Sequence, residues 1–249
     1  MGDEPHSEEV RQRADPAPPA GRAVHGLLTA VTGVGLVTSF WIAWHHPTGI
    51  PAGATFEGGF PAGWEHIINQ PVHFTFISAA MVFATSLALT IRPQIGNTGR
   101  WGILFHTVRL SGIVCMVLSG LLWNLLLRTP DLLDGVKLVN DSIYHLLLPV
   151  LVPLVWLMGG PHGRITWKIV LLSPLPPTIW FILTLLRGPS LDWYPYSILD
   201  VPRLGYPTVL GMAAGVLVAF LAVAALIWLV DRMMDRNVGR LEIRPGGAA

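Results

Sequence analysis

The sequence predicts an all-α integral membrane protein, a bundle of six transmembrane helices with both termini in the cytoplasm. Three observations predict it. Of 249 residues 52% are hydrophobic and 12% charged, about half the roughly 25% charge of a soluble domain. The mean hydropathy is +0.54, and the apolar residues gather in six runs near the 20 or so that a helix needs to cross a bilayer. Lys and Arg are shared unequally between the two sets of loops. The net charge of +1 provides no basic field for nucleic acid. Cys115, the single cysteine, lies inside an apolar run, which excludes a disulfide framework or a cysteine-based zinc site.

Residues 1–22, rich in Pro, Ala, Glu and Arg, read as a disordered cytoplasmic tail. They do not resemble the start of a cleaved signal peptide, because the segment is long and acidic and the next run is full length. The spans fall at about 23–44, 71–91, 102–127, 141–158, 167–186 and 206–230 within a membrane domain of residues 23–230. The fourth is short and contains Pro149 and Pro153. The fifth carries Pro174, Pro176 and Pro177, so it bends or starts late. Residues 231–249 form a second cytoplasmic tail. Trp44, Trp64, Trp101, Trp123, Trp167, Trp193 and Tyr194 fall near helix ends, as an interfacial aromatic belt would.

Orientation follows from the loop charges. The two tails with the second and fourth loops hold 11 Lys and Arg, against 4 in the other three loops. The richer side is cytoplasmic. Arg outnumbers Lys 14 to 2, a bias that points to a bacterial cytoplasmic membrane.

Polar groups inside spans are costly and mark candidate sites. Here they are His73 and Thr75 on the second helix, His106 and Arg109 on the third, and Asp141 and His145 on the fourth. Thr75 and His145 each follow the expected start of an outside-to-inside span by four residues. At about 1.5 Å per residue both sit roughly 6 Å below the outer boundary. A hydroxyl and an imidazole at one depth are the parts of a nucleophile and its base for attack on an ester. Asp141, one turn before His145, can hold the imidazole tautomer as a third member. Plainer readings compete: a threonine bonded back to its own helix, a histidine joining two helices, and Asp141 as an N-cap. Asn124 lies within reach of this layer, and its amide suits an oxyanion donor. Arg109 can snorkel to the headgroups. The outer loop from Tyr194 through Tyr196 to Asp200, stiffened by Pro195 and Pro202, is either a lid or a re-entry segment that positions the sixth helix.

These residues also carry a resemblance. His73-Phe74-Thr75-Phe76 opens the second helix, and Asn140-Asp141-Ser142-Ile143-Tyr144-His145 leads to Pro149. Pro161-His162-Gly163-Arg164 follows with Trp167. Arg187-Gly188 precedes Tyr194-Pro195-Tyr196-Ser197-Ile198-Leu199-Asp200-Val201 and Gly205-Tyr206. In order and spacing the chain resembles the six-transmembrane family of the animal androgen-induced protein and androgen-dependent TFPI-regulating protein, with its bacterial branch. The resemblance runs over about two thirds of the chain, from the second span to the sixth. It implies a membrane hydrolase of fatty acid esters of hydroxy fatty acids, with an intramembrane threonine and histidine that match Thr75 and His145. Ala79 and Val155 depart from the bacterial pattern, where Asn and Asp are frequent.

The expected activity is thus carboxylic ester hydrolysis with no cofactor and no metal. Membrane lipid and a long-chain ester substrate are the expected partners. An alternative is a membrane haem protein ligated by His73 and His145. A non-catalytic transporter or scaffold stands third, weakened by the absence of internal repeats and charged pore residues.

Overall fold

The computed structural model describes residues 19–50, 54–95, 99–128 and 133–242. Most of the expected N-terminal tail, residues 1–18, and the last seven residues lie outside it. Of the described residues 81% are helical, and among them there is no strand. This is how a chain satisfies its backbone where no water competes.

Among the described residues six spans are long and apolar enough to cross a membrane: Ala20–His45, Phe74–Ile91, Gly99–Leu127, Gly135–Gly159, Trp167–Leu191 and Val201–Asp235. Helix α1 (Pro19–His45) begins on a proline, whose missing N–H costs nothing in the first turn. It therefore takes in four residues expected to belong to the tail. A short α2 (Trp64–Ile68) lies in the first loop. Helix α3 (Phe74–Ile91) follows Pro71 and stops before Pro93, since the residue ahead of a proline disfavours helix. Helix α4 (Gly99–Leu122) continues into a π-helical turn, Trp123–Leu127.

The fourth span is built in three pieces: α5 (Gly135–Ser142), a π turn (Ile143–Leu147) and α6 (Leu148–Gly159). It starts six residues before the expected boundary, because Gly135–Asn140 is too polar to register as apolar yet is helical. The fifth span breaks, as its prolines predict, into α7 (Trp167–Leu172) and α8 (Leu175–Leu191). Helix α9 (Val201–Glu242) is kinked where Gly205 turns to φ 74°, a conformation glycine adopts without steric cost. Its long rod thus begins near the expected 206, but it runs on to Glu242 through part of the expected loose tail.

Helix α4 is the hub. Its span is 56% buried, against 17–44% for the other five. Small residues allow this, since close backbone approach is what drives association among helices already in lipid. A side chain on Gly112 would press on Met81 and Val82 of α3, and one on Gly120 would overlap Pro149 of α6. The main core gathers around Leu110, Val114, Met116, Leu148, Val152 and Val170. A second, smaller cluster of Phe56, Phe60, Val72, Trp193, Tyr194, Leu199 and Val209 joins the first and fifth loops into a cap over one end of the bundle.

Candidate active site

Thr75 is the second residue of α3, and its side chain is buried. At that position it has no preceding turn of its own α-helix to bond to. Ser78, Thr85 and Thr90 farther along the same helix donate back to carbonyls of their own helix. The Thr75 hydroxyl instead points across the bundle. Its Oγ1 lies 2.8 Å from Ser119 Oγ on α4 and 3.4 Å from His145 Nε2.

His145 is held on three sides. Its Nδ1 lies 2.8 Å from Asp141 Oδ1, one turn earlier. A carboxylate only accepts, so Nδ1 carries the proton and Nε2 faces Thr75 as an acceptor. Trp123 stacks on the imidazole, centroids 4.3 Å apart and planes 13° apart. Asp141 Oδ2 accepts from Arg128 at 2.7 Å, with the carboxylate side chain 8% exposed and the arginine 42% exposed. Charge on Asp141 is thereby balanced by a cation that reaches water.

Two π turns build this arrangement, a feature frequent at functional sites. Trp123 opens one and His145 sits at the centre of the other. Pro149 lacks the N–H that would meet the His145 carbonyl within the helix. Asn124 supplies the missing donor: its Nδ2 is 2.7 Å from the His145 carbonyl and 2.8 Å from that of Gly120. Both amide hydrogens of Asn124 are thus spent on backbone. This corrects the expected oxyanion role, because Asn124 holds the His145 backbone rather than facing the Thr75 hydroxyl.

Asp141 also differs from one expectation. It lies inside the helix near the end of α5 and is not an N-cap, since the span begins at Gly135. Counting depth from the expected starts misplaced both residues. Thr75 stands one residue past the start of α3 and His145 ten past Gly135, yet they meet because the fourth span extends farther at this end.

A cavity of about 300 Å³ opens beside Thr75, at the lower end of the roughly 300–1,000 Å³ usual for ligand sites. It lies between α4, α8 and α9. Leu118, Phe181, Val209, Met212 and Phe220 typify its lining, while Thr75, Ser119 and Tyr196 stand among its few polar side chains. Leu217 and Met212 on its α9 wall are 42% and 44% exposed, on the side that faces lipid. An apolar chain with a polar joint at one end fits this shape.

The loop of residues 192–200 divides into separate roles. Tyr194 is 1% exposed and packs against Gly188, where any side chain would collide with its ring. Asp200 is fully buried, accepting from Thr55 N at 2.9 Å and from Arg203 N at 3.1 Å. It caps α9 and ties the two loops together, which corrects its candidacy for the site. Tyr196, unlike Tyr194 and Asp200, lines the cavity, together with Ile198 and Leu199. Burial pushes its hydroxyl above the usual tyrosine range, opposed by the nearby Thr75 side chain and the amides of Thr75 and Phe74.

The remaining candidates lie elsewhere. His73 packs near Trp193 and His66, whereas both ring nitrogens of His145 face partners, leaving no nitrogen free for axial ligation. Arg109 does not snorkel. It is 6% exposed and donates to the carbonyls of Pro161 and Gly160, near the buried His106. Trp123 and Trp193 leave the expected aromatic belt, the first for His145 and the second for the cap, while Trp44, Trp64, Trp101 and Trp167 are exposed.

Ser119, Trp123 and Arg128 are site residues that inspection of the sequence missed. Ser119 continues the stripe of Ser111 and Cys115 at i, i+4, which was a usable signal. Trp123 and Arg128 carried none, since each fits an ordinary helix end. No family model, curated protein or solved structure matches the chain.

Proposed function

We propose that the protein is an intramembrane threonine hydrolase of long-chain lipid esters, a bacterial-branch member of the six-transmembrane family it resembles. The contact of Thr75, His145 and Asp141 at the mouth of an apolar cavity carries this reading. The 3.4 Å separation of Thr75 and His145 is long for a hydrogen bond, as catalytic pairs often are before substrate tightens them.

In the reaction, Thr75 Oγ1 attacks the ester carbonyl while its proton passes to His145 Nε2. The carbonyl electron pair moves onto oxygen. Collapse breaks the bond to the alcohol oxygen, which leaves with the proton from His145. Water then attacks the acyl-threonine, giving its proton to His145, and the fatty acid departs as the Thr75 hydroxyl is restored. Asp141 fixes the tautomer throughout and stabilises the transient imidazolium, with Arg128 balancing its charge. Either hydroxyl of the Thr75–Ser119 pair can donate; with Ser119 as the donor, the Thr75 proton is directed at His145.

A lipophilic fluorophosphonate should label the detergent-solubilised protein, and mapping should place the mark on Thr75. Labelling on Ser119 would move the nucleophile to α4, and absence of labelling would count against a hydrolase.

In this reading both termini are cytoplasmic, so the site opens from the outer half of the membrane. Alkaline phosphatase fused to the C-terminus should be inactive, and the enzyme inserted within the loop of residues 192–200 should be active. The reverse pattern would refute the orientation.

A further inference from the structure

Attack on an ester leaves negative charge on the carbonyl oxygen, and donors must meet it close to the nucleophile. The first turn of α3 offers them. The helical ladder here begins with the bond from Ile77 N to the His73 carbonyl, and His73 N is already spent on Gln70. The amides of Phe74 and Thr75 therefore stand outside the ladder. His73, at the N-cap, supplies no side-chain bond to them. A carbonyl oxygen set on these amides would lie beside the hydroxyl that attacks its carbon.

That seat is held by another oxygen. The Tyr196 hydroxyl lies close to the amides of Phe74 and Thr75 and to the hydroxyl of Thr75, with which it lines the cavity. Amides can only donate, so the tyrosine oxygen accepts from them, as an oxyanion would, and its own proton is free to point at Thr75 Oγ1. The loop behind it is firmly placed. Trp193 and Tyr194 are buried on one side, and Asp200 is tied to Thr55 and the start of α9 on the other. The tyrosine ring lies 6.3 Å from that of Trp180 and forms part of the cavity wall.

We propose that Tyr196 is a catalytic residue: its hydroxyl keeps the oxyanion seat in the resting enzyme and, when an ester carbonyl takes that place, donates to the developing oxyanion together with the amides of Phe74 and Thr75. The proposal rests on the hydrolase reading above. The displacement it requires is small, because the ring stays against the cavity wall and only its hydroxyl leaves the amides. In the resting enzyme the same contact prevents the amides from being left bare beside an apolar cavity.

The test compares wild type with Tyr196→Phe in the full-length purified protein. The substitution keeps the ring and removes only the donor. Two readouts are needed: steady-state hydrolysis of a long-chain ester of a hydroxy fatty acid, and the rate at which a lipophilic fluorophosphonate modifies Thr75. Loss of one side-chain donor should lower kcat by about a hundredfold or more with little change in KM. Labelling should slow comparably, since the phosphonyl oxygen needs the same seat, while Tm is retained. Tyr196→Phe with wild-type kcat, in a protein whose Thr75 still labels, would overturn the oxyanion role and leave the hydrolase intact. A rise in KM with kcat unchanged would also overturn it, making Tyr196 part of the binding wall. Wild-type protein that neither hydrolyses nor labels would overturn both readings together.

Discussion

Thr75→Ala and His145→Ala should each reduce ester hydrolysis by at least about a thousandfold, and the double variant should be little worse than either alone. Such non-additivity follows from the geometry. Thr75 Oγ1 faces His145 Nε2, so either residue without the other is a hydroxyl with no base or a base with no nucleophile. Expression and detergent behaviour should be retained, because Thr75→Ala removes few atoms and His145 sits at the edge of the core. The assay is turnover of a long-chain hydroxy-fatty-acid ester by purified, delipidated protein. Ser119 demands a control, since its hydroxyl is 2.8 Å from that of Thr75. Residual activity in Thr75→Ala that vanishes on adding Ser119→Ala would identify a substitute nucleophile. Full turnover in Thr75→Ala would remove Thr75 from the chemistry.

Asp141→Asn should lower kcat by roughly a hundred- to ten-thousandfold, the range expected when the orienting carboxylate of a triad becomes an amide. The amide can donate to Nδ1, which favours the tautomer with its proton on Nε2 and removes the acceptor that Thr75 needs. It also leaves the imidazolium without a counter-charge. Arg128→Gln should cost far less, because that guanidinium is 42% exposed and water can replace much of its effect. The ratio of the two losses is the measurement. Similar losses would mean that the ion pair matters mainly for folding the π turn. An Asp141→Asn variant close to wild type would reduce the triad to the pair Thr75 and His145.

Hydropathy alone specified the six spans and the proline-broken fifth helix, because lipid leaves a backbone only a few solutions. Inspection of polar residues in apolar runs also singled out Thr75, His145 and Asp141, since such groups are too costly to be placed idly. What joins them was decided in three dimensions. Leu, Val and Ile are as suited to lipid as to a helix interface, so apolar patterning could not say which face of α4 meets α3 or α6. The approach of Gly120 to Pro149 decided that, bringing Trp123 and Asn124 onto a histidine on another helix and Ser119 onto Thr75. Nor could a 3.6-residue period anticipate two π turns, which shift every side chain beyond them around the axis. The start of the fourth span was misread for a related reason: Lys137 and Asn140 look like loop, yet Asn140 is satisfied within the fold by Gly35, Thr38 and Ser39 of α1. Tyr196 and Asp200, four residues apart in one loop, looked alike in the sequence. Only packing separates them, because Asp200 exhausts its oxygens on Thr55 and the first turn of α9, whereas Tyr196 reaches the open amides at the start of α3.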